Sequence, residues 1–228
     1  MTHPDAVTAR SRRAVLLDVD WTILRPVAAP VELWLAALEK RAPTPLPVRS
    51  REAPITVLVP HHDRPGVMFH RPAVIRALGN LPADVAMYWL TSWMTNPERL
   101  TQLQADLKLP ADRIRAAPLP AGISASRAGL PTRARLAQHW KFQTVAHYLR
   151  THSDTDMLWI DDEVGRFVHH LLAADLQPRL HFLRPASWNS LLTEADAARI
   201  ARWASGDILV LRDDRNDRND YRWETTRD

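Results

Sequence analysis

Cysteine is absent from the 228-residue chain. That excludes a disulfide framework, a thiolate zinc site and a cysteine nucleophile, and leaves any metal to rest on oxygen or imidazole. Lysine is almost absent as well, occurring only at Lys40, Lys108 and Lys141, so the positive charge is nearly all arginine. No stretch approaches the roughly 20 apolar residues that a bilayer-spanning helix requires. The polar opening residues, 1–13, lack the apolar core of a secretory leader. A cytoplasmic protein with no membrane partner is therefore expected. No internal repeat is visible, which argues against a solenoid.

What is present is ordinary for a globular chain: 46% hydrophobic and 25% charged residues, too apolar for intrinsic disorder. The length suits one domain with a modest insertion. The net charge is +4 and the isoelectric point is near 9.9. A basic surface suits phosphate-bearing or nucleic-acid partners, but a chain rich in Arg, Ala and Pro acquires the same excess from genomic base usage alone.

Short apolar runs alternate with amphipathic segments, the pattern of β and α units in succession and hence of a mostly parallel sheet. Strands are expected at 14–18, 85–90 and 157–160, with weaker ones at 113–116, 179–183 and 207–211. The first is apolar from Ala14 to Leu17, as befits a central strand covered on both faces. Helices fit between them at 96–106, 133–150, 164–174 and 193–204. Asn96 before Pro97 and Glu98 reads as an N-cap with proline in the first turn, and Thr193 with Asp196 as a capping pair.

The region between Thr22 and Val85 does not fit a simple crossover. It holds a helix candidate at 31–41, a proline-rich link at 42–54, and extended runs at 55–59 and 66–70. Together these suggest a small β-flap or cap inserted after the first strand. The Arg-, Asp- and Asn-rich end, 212–228, reads as a solvated, poorly ordered tail.

The chemistry concentrates where strands stop. Asp18-Val19-Asp20 closes the first strand, and alternation along an extended chain turns both carboxylates to one side. In an open α/β sheet, ligands bind beyond the carboxyl ends of the strands. Thr91 and Ser92 follow the apolar run 87–90, Asp161 and Asp162 follow 157–160, and Lys141 lies between them in an expected helix.

Asp18-Val19-Asp20-Trp21-Thr22, then Thr91, then Lys141, then Asp161-Asp162, in this order, resemble the four motifs of the haloacid dehalogenase (HAD) superfamily over roughly 14–203. Within it, Thr91-Ser92-Trp93, Trp159-Ile160-Asp161-Asp162-Glu163 and Leu191-Leu192-Thr193 are most similar to the HAD domain of the Swiss Army Knife RNA repair proteins. The resemblance implies an α/β fold with a Rossmann-like parallel sheet flanked by helices. It makes 1–211 a single HAD-like domain with a flap or cap at about 25–72.

The resemblance also implies a Mg²⁺-dependent phosphohydrolase. Asp18 would be the nucleophile that becomes a transient aspartyl phosphate, and Asp20 would protonate the leaving group and then activate water. Asp161 and Asp162, with Asp18 and the backbone carbonyl of Asp20, would hold Mg²⁺ in an all-oxygen set. Asp161 is the preferred direct ligand. Thr91 would bond a phosphoryl oxygen, and Lys141 would neutralise that group and the nucleophile. The other lysine between these motifs, Lys108, sits in a loop-like segment after a helix. Thr22 would hold the loop through the Asp18 backbone region, while Ser92 would donate to substrate or cap a helix.

Trp21 departs from the glycine common at its position, and its bulk would narrow or line the entrance. Trp21 and Trp93 follow strand ends and would wall the pocket, whereas Trp89, Trp159 and Trp203 read as core. His61, His62 and Arg64 lie in the flap region and could meet substrate. His169 and His170 read as solvated, because sequence neighbours diverge on a helix. The substrate would be a small phosphorylated metabolite or, alternatively, a nucleic-acid end. A binding module without turnover is the third reading, opposed by the presence of every acid of the set.

Overall fold

Ala14, Val15, Leu16 and Leu17 are all 0% exposed, because their strand, β1 (Arg12–Leu17), has a partner on each edge and apolar clusters on both faces. The computed structural model describes residues 12–20, 22–26, 39, 51–57, 66–125, 139–162, 172–185 and 191–207. Among them, β1 is the centre of a five-stranded parallel sheet with β5 (Val85–Trp89) and β6 (Arg115–Ala116) on one side. On the other side stand β7 (Thr155–Ile160) and β8 (Leu180–Leu183). The chain thus leaves β1 in one direction and returns to its other edge, which places the reversal of strand order at β1.

Pleat alternation divides the core. Val15, Leu17, Met87, Trp89, Leu158 and Ile160 face one apolar cluster. It is completed by α1 (Pro72–Gly79), α2 (Pro97–Asp106) and α4 (Glu194–Ser205). Ala14, Leu16, Met157 and Trp159 face a second cluster, completed by α3 (Trp140–Thr151). The expected core residues Trp89, Trp159 and Trp203 are 1%, 0% and 2% exposed.

Helix ends follow their capping chemistry. Asn96 Oδ1 accepts the Arg99 N–H at the start of α2, and Thr193 and Asp196 exchange side-chain and backbone bonds at the start of α4. The expected helix at 133–150 begins only at Trp140, because His139 is extended (φ −67°, ψ 132°), while 133–138 lie outside the described residues. Of the helix expected at 164–174, residues 164–171 lie outside the described residues. Leu172 to Ala174 are not helical and lead into a turn closed by Leu176 N–H to Ala173 O.

The helix α1 was not anticipated. Its Val74, Ile75 and Leu78 are buried and Pro72 opens it, so the signal was a short i, i+1, i+4 apolar set behind a proline. Between β1 and α1 lies a separate antiparallel sheet in the order β2-β4-β3: β2 (Arg25–Pro26), β3 (Ala53–Val57) and β4 (Gly66–His70). Arg25 anchors it, donating to Glu52 Oε2 from Nε at 3.1 Å and lying over the Phe69 ring. The expectations at 31–38, 40–50, 58–65, 208–211 and 212–228 lie outside the described residues, as do Trp21, His61, His62, Arg64, His169 and His170.

Candidate active site at the carboxyl end of the parallel sheet

Alternation carries Asp18, just past β1, to the face of Ala14 and Leu16, and Asp161, just past β7, to the face of Met157 and Trp159. It is the face that α3 covers. Backbone bonds lock the two acids side by side: Asp18 N–H donates to Ile160 O at 2.9 Å and Asp161 N–H to Leu183 O at 3.2 Å. Lys141, the second residue of α3, reaches between them, with Nζ 3.1 Å from Asp18 Oδ2 and 2.7 Å from Asp161 Oδ2. A cation in the first turn of a helix opposes the helix dipole, and this one is 5% exposed. The two carboxylates compensate for both penalties.

Asp161 Oδ2 takes a second donor, the Trp159 indole N–H at 3.2 Å. Residues two apart on a strand share a face, so this contact was open to sequence reasoning, although Trp159 reads there only as core. One carboxylate oxygen each from Asp18, Asp161 and Asp162 lies within 4.8 Å of the others, a grouping able to hold a metal ion.

Burial pushes the Asp18 carboxyl from 3.8 up to about 8; the Lys141 ammonium pulls it down, while the charges of Asp161 and Asp20 add to the rise and the Val19 N–H opposes it. His139, the residue before α3, carries no sequence signature but is 7% exposed, and its Nδ1 has no hydrogen-bond partner among the described residues. Burial, then the neighbouring Lys141 charge, lower its pKa, with Asp161 opposing.

Beyond Asp18 the chain curls around one carbonyl. Val19 O accepts the N–H groups of Thr22, Ile23 and Leu24 at 3.3, 3.0 and 3.0 Å, leaving Asp20 at the tip of the loop. Thr22 O accepts Leu192 N–H at 2.9 Å, which ties the loop to the approach to α4. Thr22 therefore holds the loop through its backbone. Its buried hydroxyl has no partner among the described residues.

Leu90 N–H donates to Leu17 O at 2.9 Å, which brings the end of β5 alongside that of β1. Thr91 follows, 0% exposed, and its Oγ1 accepts the Trp93 N–H at 3.4 Å while keeping its own O–H to donate. Thr91, not Ser92, thus caps the single 3₁₀ turn Ser92–Thr95. Ser92 contributes its carbonyl to the Thr95 hydroxyl. Trp93 is 1% exposed, packed in the core with its indole N–H 3.0 Å from Asp20 Oδ2. Lys108 is exposed just beyond the end of α2.

Fold and site together define an α/β protein with a parallel sheet and a carboxylate–lysine cluster at the carboxyl end of its central strands. No family model and no curated protein matches the chain.

Proposed function

We propose that the chain is a Mg²⁺-dependent phosphohydrolase of the HAD type, acting on phosphate monoesters through an aspartyl phosphate on Asp18. The observation that carries this reading is the Lys141 ammonium held between Asp18 and Asp161, with Asp162 beside them, where the strand order reverses. Among the described residues, three carboxyl groups gather around one ammonium, two buried and Asp162 half-buried. An all-oxygen set of this kind suits Mg²⁺. Asp18, Asp161 and Asp162 would hold the ion, with the backbone carbonyl of Asp20. When bound, it supplies the positive charge that lets a carboxylate approach a phosphate.

The chain's own groups then divide the work. An Asp18 oxygen attacks phosphorus, the ester P–O bond breaks, and Asp20 gives its proton to the departing alkoxide. In the second half a water attacks the same phosphorus, Asp20 takes its proton, and the Asp18–phosphorus bond breaks to release inorganic phosphate. Lys141 holds Asp18 in place and offsets the charge of the transferring group. The Thr91 hydroxyl donates to a phosphoryl oxygen. The small sheet β2-β4-β3, which follows the site loop in sequence, is read as the flap that covers substrate. It leans on α2 through β3.

A panel of phosphate monoesters assayed with Mg²⁺ and with excess chelator tests the reading. Metal-dependent phosphate release is the expected result. Absence of release from every ester, or full release in chelator, would overturn it.

A further inference from the structure

Asp20 lies at a loop tip after β1, the kind of position where a side chain has freedom to turn away. Its Oδ2 is nevertheless held by the indole N–H of Trp93 at 3.0 Å. The indole itself has little freedom. Trp93 is 1% exposed within the cluster that includes Val19, Ile23, Leu24 and Trp89. Its backbone is fixed by Thr91 Oγ1 accepting its N–H and by its carbonyl accepting the Asn96 N–H at 3.0 Å. A rigid donor seated in the core therefore reaches out to a partly exposed carboxylate.

We propose that Trp93 is the positioning residue for Asp20, and that it dictates which oxygen of that carboxylate handles the proton. The inference rests on the phosphohydrolase reading and replaces a pocket-wall role for Trp93. An indole N–H only donates, so the oxygen it binds must act as an acceptor. The proton that Asp20 gives to a leaving group and recovers from water is then carried on the other oxygen, Oδ1. Because the indole neither gains nor loses a proton in the working range, Asp20 keeps one orientation through both halves of the reaction. Trp93 touches neither substrate nor metal in this role.

The test combines a contact readout with a reaction readout. In protein labelled with ¹⁵N at the indoles, the resonance missing from Trp93→Phe identifies Trp93, and Asp20→Ala, which removes the acceptor, should displace that same resonance. An unmoved resonance overturns the contact whether or not Trp93→Phe folds well. For the reaction, Trp93→Phe is compared with wild type on 2,4-dinitrophenyl phosphate, whose leaving group needs no proton, and on 2-phenylethyl phosphate, whose leaving group does. A positioning role predicts a kcat/KM loss on the alkyl ester of about 10-fold or more, part of the range that general acid catalysis spans, with kcat/KM on the aryl ester nearly unaffected, because that ratio reports the step in which the leaving group departs and not the later attack of water. An equal drop in kcat/KM for both esters with active wild type sinks the Trp93 role alone. Wild type inactive on both sinks the phosphohydrolase reading, and the proton-handling role with it.

Discussion

The Lys141 ammonium stands 3.1 Å from an Asp18 carboxylate oxygen, and the two side chains are 6% and 5% exposed. The same ammonium lies 2.7 Å from Asp161 Oδ2. Removing it takes the shared cation from two buried carboxyl groups at once, and breaking a buried ion pair from one side costs about 3–5 kcal/mol.

Lys141→Met should therefore be more harmful at high pH than at low pH. Without the ammonium, the Asp18 carboxyl rises further above the 8 it reaches by burial in the native protein. A raised carboxyl favours the fold fully below its unfolded value and loses that contribution as pH climbs to its folded value. Metal-free melting temperatures of wild type and variant should lie closer together at pH 6 than at pH 9.5, because the two titrations part only above the native value of about 8. Activity should fall roughly 10²–10³-fold, the range for losing one preorganised charge-stabilising group. A gap in melting temperature that does not change with pH would detach Lys141 from the ionisation of Asp18.

Binding of Mg²⁺ should release protons below pH 8. The Asp18 carboxyl is held up to about 8 in the metal-free protein, whereas a metal ligand must be ionised. Affinity should thus increase as pH rises from 6 toward 8 and level off above it. Calorimetric titration in two buffers of different ionisation enthalpy reads the released proton directly. Identical heats in both buffers at pH 7 would show that Asp18 is not the group that gives up a proton.

Much of this arrangement was legible in the chain itself, for a physical reason. Fully apolar strands that stop at Asp18, Thr91 and Asp161 mark both a buried parallel sheet and the polar groups at its carboxyl edge, where ligands bind in such sheets. The lysine was identified by its scarcity and its order in the sequence. Other features depended on side-chain direction. Trp93 follows a strand end like Trp21, and only the tertiary fold turns its ring into the core and its N–H toward Asp20. His139 was equally hidden, because its burial comes from where α3 begins rather than from any local pattern. The helix α1 escaped because it is only 8 residues long, near the lower limit at which helical periodicity declares itself.

A buried ion pair ties the small sheet to the residue that precedes β3. Arg25 and Glu52 have side chains 1% and 0% exposed, and the guanidinium also covers Phe69. Arg25→Met keeps the apolar stem but leaves the Glu52 carboxylate buried, so the expected loss is about 3–5 kcal/mol of stability at neutral pH. Hydrogen exchange should show the loss concentrated in β3 and β4. The double variant Arg25→Met/Glu52→Gln should recover part of it, because the buried carboxylate that lost Arg25 is then neutral. A double variant no more stable than the single would mean that packing over Phe69, not charge, holds the sheet.

Asp18 and Asp20 should fail in different ways when each is changed to asparagine. An amide is a far poorer nucleophile than a carboxylate, so Asp18→Asn should abolish turnover and form no phosphoenzyme. Asp20→Asn keeps the nucleophile but removes the group that protonates the leaving alkoxide and later activates water, a role worth about 10²–10⁴-fold. With 2,4-dinitrophenyl phosphate, whose departure needs no proton, that variant should still phosphorylate Asp18. The intermediate should then persist, because no base remains to activate water against it. The amide oxygen introduced by Asp20→Asn can still accept the Trp93 N–H, so the side chain stays in place and the defect is one of proton transfer rather than of geometry. Intact-protein mass spectrometry seconds after mixing should show the added phosphoryl mass on Asp20→Asn and not on Asp18→Asn, and peptide mapping should place it at Asp18. Phosphate on another residue, or an active Asp18→Asn, would overturn the assignment of the nucleophile, while rapid hydrolysis of the intermediate in Asp20→Asn would assign the base elsewhere.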